Sequence, residues 1–418
     1  MRTFFIILNN IISAIRSRIN IFLIKRKNQA KKNIVTYQPC QVEDIIESDS
    51  YPGSYIFSGQ DRLNRTRALV GLADLASFNK IPTVILHQGD GLLQAYIGGS
   101  QRISKKLIIQ PGSGSYDPFF NRTNQEIASL IKNSSMHKIT SLGQAYIEAL
   151  ADFIRSKNIP PYYDMFARCP HGRIFEVIEE SEDLGYISSL QGQDIKNLLI
   201  QGQGEKNLVK SFFDQVSYQG GGILASKSSR ARISNIKSLV ANQGLIMIDI
   251  GSSTNDLLIN LITNEIKEAL NMGTSLVLII DEINTRANDQ LFDLINSSPA
   301  RCLTTISSED IYSSLGSDER LFYSLVSRAS KCLVFSHTSG VSAEKWAQVF
   351  GYYDQEKISK NMGNHGGYFD YGFNSLYSYS ISENRDYVVK EEEIRNLKDN
   401  TCYLIDKKSK EIGFFNLV

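Results

Sequence analysis

The 418-residue sequence lacks the cysteine and histidine patterns that mark a metal site or a disulfide framework. Its five cysteines stand singly along the chain, without metal-ligand spacing, and its five histidines are equally dispersed. Unpaired cysteines are typical of a reducing compartment, so we expect a cytoplasmic protein. The sequence gives no support to a His/Cys metal site or to a disulfide-stapled secreted domain.

Net charge and long apolar runs are also lacking. The 45 Lys and Arg residues against 44 Asp and Glu leave a net charge of +1, so no global field attracts nucleic acid or membrane. No apolar run near the amino terminus approaches the roughly 20 residues of a spanning helix, and no small-residue cleavage site suggests a signal peptide. The apolar fraction of 42% and charged fraction of 21% are those of an ordinary globular protein with two or three domains.

Residues 1–49 differ from the rest as a basic amino-terminal arm. Eight Lys and Arg residues lie within the first 32 positions, and the first acidic residue is Glu43. Apolar clusters at 4–8 and 21–24 are interleaved with these charges. One interpretation is a basic amphipathic helix that lies on the cytoplasmic face of an anionic membrane. The other is a helix that packs on a partner or on its own domain.

After the arm, short apolar runs alternate with segments of helical periodicity, which predicts a doubly wound, mostly parallel α/β sheet. Residues 50–123 would form the first part of a nucleotide-binding-like core, and 218–418 its second part with a carboxyl-terminal tail. Between them, 124–217 are polar and apolar at helical spacing, which predicts an inserted all-helical subdomain. The predicted strands lie at 54–58, 81–86, 107–110, 244–250, 275–280, 301–306 and 331–335.

The run at 275–280 ends in two adjacent carboxylates, Asp281 and Glu282. Ligands of open α/β sheets collect at the carboxyl ends of strands. In P-loop NTPases the first acid holds the Mg²⁺ shell and the second polarises the attacking water. The alternative is a buried strand whose acids cap the next helix.

The strand at 54–58 is followed by an altered phosphate-loop pattern. A phosphate loop needs G-x-x-x-x-G-K-[ST], because glycines let backbone N–H groups wrap the phosphates and the lysine neutralises them. Gly59 and Thr66 fit this frame, but Asn64 replaces the second glycine and Arg65 replaces the lysine. Asp61 adds a negative charge where phosphates would lie. Alone, this pattern is typical of a simple turn from a loop into a helix.

Further motifs follow in a fixed order. A strand ends in Gln88-Gly89-Asp90, Tyr-Asp-Pro-Phe at 116–119 predicts a helix start before the helical insertion, and Ala-Glu lies in the helix that ends at Gly351. In this order the chain resembles the TraG/TraD-type coupling ATPases of type IV secretion, within the FtsK/HerA group of hexameric DNA translocases. The resemblance covers roughly residues 50–418 and implies a P-loop NTPase fold of the RecA/FtsK type.

The resemblance implies ATP and Mg²⁺ as cofactors and a ring-shaped homo-oligomer that acts on DNA with proteins of a secretion or conjugation machinery. Glu282 would be the catalytic base, and Arg328 or Arg385 of a neighbouring subunit would stabilise the transition-state charge. Asp281 and Thr66 would hold the metal. The phosphates would contact Gly59, Asn64, Arg65 and Thr66.

The sequence differs from the family pattern in three places. The phosphate loop is degenerate, residues 304–308 offer hydroxyls where the family has a glutamine, and the basic arm stands where the family has paired membrane-spanning helices. Three hypotheses therefore remain open. They are a DNA-translocating ATPase that uses Arg65 for the lysine, a nucleotide-independent coupling or scaffold subunit, and a peripheral membrane adaptor. A basic run at 226–232 is either a solvated surface or a contact to nucleic acid backbone.

Overall fold

A computed structural model describes residues 2–47, 53–113, 115–219, 222–225, 233–250, 256–282, 288–297, 301–363 and 376–418. The basic run at 226–232 lies outside these residues. The chain divides into two compact units, a smaller one of Met1–Cys40 with Leu333–Val418 and a larger one of Gln41–Cys332. Each unit is described by itself below.

The described strands are, in chain order, β1 (Ile34–Thr36), β2 (Ser54–Ser58), β3 (Thr83–His87), β4 (Lys106–Ile109), β5 (Leu245–Asp249), β6 (Leu276–Asp281), β7 (Cys302–Ser308), β8 (Lys331–Val334), β9 (Tyr352–Gly363), β10 (Leu376–Tyr387), β11 (Thr401–Asp406) and β12 (Glu411–Asn416).

The described helices are α1 (Arg2–Lys32), α2 (Val42–Glu47), α3 (Arg62–Phe78), α4 (Gly91–Gly99), α5 (Asn124–Ser134), α6 (Ser141–Ser156), α7 (Tyr163–Ala167), α8 (Ile174–Asp183), α9 (Ser189–Gln201), α10 (Lys206–Gln219), α11 (Ile236–Ala241), α12 (Asp256–Asn271), α13 (Asp289–Ser297), α14 (Ile311–Ser314), α15 (Glu319–Arg328), α16 (Gly340–Phe350) and α17 (Glu391–Arg395). A 3-10 helix at Gln203–Glu205 precedes α10.

The larger unit contains the predicted parallel sheet. Within this unit the strand order is β2-β7-β6-β3-β5-β4, and these neighbouring strands all pair in parallel. Every residue of β2, β3, β5, β6 and β7 is buried, as expected for strands covered by helices on both faces. The α/β fold predicted from the alternating pattern is confirmed, with strand bounds within about two residues of those read from the apolar runs.

The insertion between β4 and β5 is helical, from α5 to α10. Helix α5 begins with a capping box, in which the Thr123 hydroxyl accepts the Glu126 N–H and the Glu126 carboxylate accepts the Thr123 N–H. Aromatic rings fill the insertion's core, where Phe166 stacks on Phe213 at 5.4 Å between ring centroids. Leu257 and Leu261 of α12 belong to the same core, which ties the insertion to the sheet unit.

The expected helix start at 116–119 is wrong, because this segment forms a turn and α5 begins only at Asn124. The Asp117 carboxylate accepts the N–H of Phe119 at 2.8 Å and that of Tyr163 at 2.9 Å. One buried side chain thereby fixes the entry to the insertion and the start of α7.

A buried ionic cluster holds this turn to α12. Arg122 donates to Glu265 at 2.8 Å and to Glu268 at 2.6 Å, and the Tyr116 hydroxyl donates to Glu265 at 2.6 Å. Arg122 and Glu265 have side-chain exposures of 1% and 0%, so each charge is compensated by its partner rather than by water.

The smaller unit has a second set of strands. β1 pairs in parallel with β12, β12 pairs antiparallel with β11, and β9 and β10 form a two-stranded ribbon of twelve residues per strand. β11 and β12 were not predicted from the sequence, because the short apolar run at 402–405 leads into a charged turn and β12 mixes buried with exposed positions. Throughout the residues described, we find no helix with the length and apolar character needed to cross a bilayer.

Candidate functional site

Polar side chains form a row along the carboxyl edge of the larger unit's sheet. The register pairs Ser58 with Ser308, Asp281 with Ser307, and His87 with both Asp281 and Asp249. Because parallel strands end at the same edge, the last residues of five strands meet there. The two carboxylates that the sequence places after β6 therefore lie beside the loop that follows β2.

That loop is short and closed by its own side chain. β2 ends at Ser58 and α3 begins at Arg62, so residues 59–61 form the whole connection. Gly59 has φ of 130°, a value that favours glycine. The Asp61 carboxylate accepts the Asn64 backbone N–H at 3.1 Å and the Asn64 side-chain amide at 2.7 Å. An internal carboxylate thus takes the helix-start position at which an anion would bind.

Arg65 lies inside the protein and is paired with the acids that follow β6. Its side chain is 3% exposed, and its Nη2 lies 2.6 Å from Glu282 Oε1. Its Nη1 donates to the Ser307 hydroxyl at 2.9 Å and lies 3.7 Å from Asp281 Oδ1. Among the described residues, Arg65 Nε has no hydrogen-bond partner. The guanidinium therefore bridges β6 and β7 from α3.

Asp281 is almost fully buried, and burial raises the pKa of its carboxyl to about 8. Arg65 and the Ser307 hydroxyl act in the opposite direction, whereas the neighbouring Asp90 and Glu282 carboxyls raise the pKa further. The Arg65 guanidinium lies closer to the Glu282 carboxylate than to the Asp281 carboxyl, so Arg65 forms its ion pair mainly with Glu282. Burial therefore favours the protonated form of the Asp281 carboxyl.

Asp90 is a second buried carboxylate at this edge. It caps α4 by accepting the N–H groups of Leu92 and Leu93, and Arg62 donates to it at 2.6 Å. Burial alone would raise the pKa of Asp90, but the Arg62 guanidinium and the Leu93 N–H outweigh it and lower the pKa. Asp90 is therefore a charged cap that ties α3 to α4.

His87 and Asp249 extend the same network across the next strands. The Asp90 N–H donates to His87 Nδ1 at 3.1 Å, and the Gly89 N–H donates to Asp249 at 2.9 Å. Burial lowers the pKa of His87, although Asp249 and Asp90 oppose that shift. A neutral imidazole is needed for Nδ1 to accept a hydrogen bond, so the geometry and the pKa direction agree.

Glu282 is held by several contacts in an uncommon backbone conformation. Its φ is 55°, in the left-handed region that non-glycine residues seldom adopt. Its carboxylate accepts the Glu309 N–H at 3.1 and 3.2 Å and the Ser308 hydroxyl at 3.3 Å, in addition to the contact with Arg65. Such a conformation persists only where surrounding contacts hold it.

The phosphate side does not fit a nucleotide in this conformation. A phosphate would meet the Asp61 carboxylate at the start of α3, and Arg65 is already neutralised by Glu282. Asn64 and Thr66 are 1% and 2% exposed, so both are enclosed within the packed start of α3.

The metal side does not fit Mg²⁺ either. Mg²⁺ prefers charged oxygen ligands, whereas burial favours a neutral Asp281 carboxyl, and Arg65 Nη1 already lies 3.7 Å from its Oδ1. The described part of the chain contains no group of three His, Cys, Asp or Glu side chains arranged to hold a metal ion.

The two arginines proposed to act between subunits lie on other elements. Arg328 is exposed at the end of α15, and Ser330, two residues later, donates to the Ser54 carbonyl at the start of β2. Arg328 is therefore near the amino edge of the sheet, opposite Asp281. Arg385 lies in β10, exposed, with its guanidinium 4.8 Å from the centre of the Tyr352 ring. Their role between subunits stays a prediction.

Three residues of this polar network were not predicted from the sequence. Ser307 was noted only among the hydroxyls at 304–308, and neither Arg62 nor His87 was singled out. Their positions in the sequence were the signal that could have indicated them. Ser307 and His87 lie at the carboxyl ends of parallel strands, and Arg62 is the first residue of α3. Their contacts depend on strand order, which one sequence does not give.

Together the parallel sheet, buried on both faces, and the helical insertion define an α/β fold with a polar carboxyl edge. No protein-family model matches the sequence, and no curated protein sequence matches it. Solved structures of the conjugative coupling protein TrwB share the fold. The unbound monoclinic form of TrwBΔN70 is 16% identical with a TM-score of 0.54, covering 88% of this chain and 84% of that one.

Two nucleotide complexes of TrwB are also similar. The complex with ADP and Mg²⁺ is 15% identical with a TM-score of 0.52, covering 88% of this chain and 84% of TrwB. The complex with the non-hydrolysable ATP analogue ADPNP is 14% identical with a TM-score of 0.52 and covers 88% and 85%. At these identities the likeness concerns the fold.

Proposed function

We propose that this protein is a coupling-type component of a conjugation or type IV secretion machinery that keeps the P-loop NTPase fold without using nucleotide. The fold supports the first half of this proposal, since TrwB, a plasmid coupling protein, shares it over most of both chains. The second half rests on one observation, the buried contact of Arg65 with Glu282.

The loss of nucleotide use follows from charge compensation. In a working site the cation at this position neutralises phosphates, and the acids bind Mg²⁺ and the attacking water. Here the cation and the acids neutralise each other, while Asp61 closes the helix start. Nucleotide binding would have to break a buried ion pair and displace a carboxylate, and each change costs several kcal/mol.

The partners we propose are DNA, proteins of the transfer machinery and further copies of this chain in a ring. TrwB is described as a bacterial conjugative coupling protein, and we extend that role to this chain. DNA binding is measured by fluorescence anisotropy over a salt series, and ring formation by mass photometry with and without DNA. Monomeric protein that binds neither single- nor double-stranded DNA would contradict this part of the proposal.

The competing function is a DNA-translocating ATPase in which nucleotide opens the loop and frees Arg65. The unpartnered Nε of Arg65 is the observation that favours it, because an anion that entered the site would give this buried donor a partner. DNA-stimulated ATP hydrolysis that falls to background in the Glu282→Gln variant would establish this function. Hydrolysis at background in both proteins supports the nucleotide-independent role.

A further inference from the structure

Helix α1 has one face that is bonded to the rest of the smaller unit. Asn28 is 8% exposed, its side chain donates to the Glu356 carbonyl at 2.9 Å, and it accepts the Glu356 N–H at 3.1 Å. Lys31 donates to the Asp354 carbonyl at 3.1 Å, and Lys32 pairs with Glu393 at 3.1 Å. These contacts fix the carboxyl-terminal part of α1 along β9.

A different face of α1 carries large apolar side chains in solvent. Ile15, Ile19, Phe22 and Leu23 are 52%, 51%, 63% and 53% exposed. Successive members of this set are four, three and one residues apart, so the four side chains lie within about 100° around the helix axis. The centre of this arc is more than about 90° away from the direction of Asn28. Upstream, the sequence continues the same spacing with Leu8, Ile11 and Ile12. We call the four exposed side chains at positions 15, 19, 22 and 23 the apolar stripe.

Basic residues border the apolar stripe. Arg18, Lys25 and Arg26 are exposed, and the first 42 residues contain eight basic and no acidic side chains. A partner for this face must therefore offer an apolar layer beneath a negatively charged surface. An anionic lipid bilayer has this layered chemistry, with acyl chains below phosphate groups.

We propose that α1 lies flat in the surface of an anionic bilayer, with the apolar stripe among the acyl chains and Arg18, Lys25 and Arg26 on the lipid phosphates. A second copy of this chain is a poorer occupant of the stripe. Pairing two such helices would bring two basic segments together, each with no acidic residue to offset the charge. The inference concerns only the smaller unit and holds whether or not the proposed function is right.

The first experiment measures co-sedimentation of the full chain with vesicles of phosphatidylcholine, alone or with 30% phosphatidylglycerol. The full chain binds the anionic vesicles, and binding weakens as salt rises from about 0.05 to 0.5 M because phosphate contacts are screened. The Ile19→Gln/Phe22→Gln variant loses at least about tenfold in partition coefficient, since two apolar anchors are removed. Lys25→Glu/Arg26→Glu loses binding to the anionic vesicles in the same range.

A matched control removes exposed apolar surface elsewhere. Leu184 and Leu190 are 70% and 75% exposed in the helical insertion, so Leu184→Gln/Leu190→Gln deletes comparable surface and leaves vesicle binding unchanged. The proposal is overturned if the full chain does not bind anionic vesicles, or if the stripe variant binds as well as the unchanged protein. Concentration-dependent dimers that only the stripe variant abolishes, without lipid binding, would assign the stripe to a second copy instead.

A fluorescence experiment locates the stripe directly. Trp346 is the single tryptophan of the chain and is fully buried, so it contributes a constant background. Tryptophan introduced by Phe22→Trp shifts to shorter emission wavelength with anionic vesicles and is quenched by brominated lipid. The same substitution at exposed Phe78, Phe78→Trp, shows neither effect. Equal responses of the two reporters would contradict insertion of this face.

Discussion

Arg65 Nη2 and Glu282 Oε1 are 2.6 Å apart, which joins the start of α3 to the end of β6 through an ion pair whose arginine is 3% exposed. In the motif that the sequence resembles, the cation at the first position neutralises phosphates and the acid at the second polarises the attacking water. Here they satisfy each other, with Ser307 as a third partner. The pair therefore ties α3 to the sheet edge, and in the proposed function it also closes the nucleotide site.

Removing Arg65 should destabilise the protein strongly. Arg65→Ala leaves Glu282 without its cation beside the buried Asp281, and breaking a buried pair typically costs about 3–5 kcal/mol. Urea denaturation of the variant and the unchanged protein measures this loss.

The matched control is Arg173→Ala, which removes an arginine that is 68% exposed and paired with Glu176. Exposed pairs contribute about 0–1 kcal/mol, so this variant should unfold near the midpoint of the unchanged protein. Equal losses of unfolding free energy in the two variants would show that the buried Arg65 pair stabilises the protein no more than an exposed pair does.

Glu282→Gln tests whether this carboxylate is structural or catalytic. We expect a loss of about 1–3 kcal/mol in unfolding free energy. The glutamine amide carries no charge to neutralise Arg65, and its NH₂ group would face one of the N–H or O–H donors that the Glu282 carboxylate accepts from. Hydrolysis of ATP with DNA should stay at the background of the unchanged protein, measured as phosphate release. A clear drop in hydrolysis from a measurable starting rate would assign Glu282 to catalysis.

The double variant Asn64→Gly/Arg65→Lys restores the complete G-x-x-x-x-G-K-T pattern from position 59 to Thr66. It removes the side-chain amide that holds Asp61 and the guanidinium that holds Glu282. We expect Mg²⁺-dependent ADP binding to appear in this variant, measured by calorimetry, and to disappear again with Thr66→Ala. Equally tight binding by the unchanged protein would mean that the altered residues do not close the site.

Much of the sheet could be predicted from sequence, because buried parallel strands are continuous apolar runs and need no partner to be recognised. Asp281 and Glu282 were identified by their position at such a run. The self-neutralised pairing of Arg65 could not be predicted, since it depends on α3 starting at Arg62 and on β6 lying between β3 and β7. The strands β11 and β12 were missed because each has only six residues and β12 mixes buried with exposed positions, which leaves a weak pattern.

The Asp117 carboxyl should link stability to pH. Burial raises its pKa to about 7, although the N–H groups of Phe119 and Tyr163 oppose the shift. A carboxyl with a raised pKa binds its proton more tightly in the folded state. Its stabilising contribution is therefore complete below the unfolded pKa near 4 and is lost as pH rises through about 7.

Asp117→Asn should remove this dependence. Between pH 5 and 7 the unfolding free energy of the unchanged protein should fall, relative to that of the variant, by up to about 1.4 kcal/mol per pH unit. Urea titrations at several pH values measure the two slopes. Parallel slopes would show that Asp117 does not titrate in this range.

Gly202 is a close-packing position between α9 and α6. A Cβ there would lie 2.5 Å from the Leu142 carbonyl oxygen and 2.5 Å from Tyr146 Cβ, so the helices would have to separate. Gly202→Ala should cost about 1–3 kcal/mol. Gly204→Ala is the control, because a Cβ at Gly204 meets no atom within 4 Å, and its thermal midpoint should change little. Similar midpoints for both variants would contradict this packing.

The central claim of the proposed function is that the chain's own side chains close the place where a nucleotide would bind. Isothermal titration calorimetry of the full chain with ADP and Mg²⁺ tests it most directly. We predict no binding heat up to about 1 mM nucleotide, the range in which the binding free energy is only about −4 kcal/mol. Mg²⁺-dependent binding in the micromolar range that Arg65→Ala abolishes would contradict the claim.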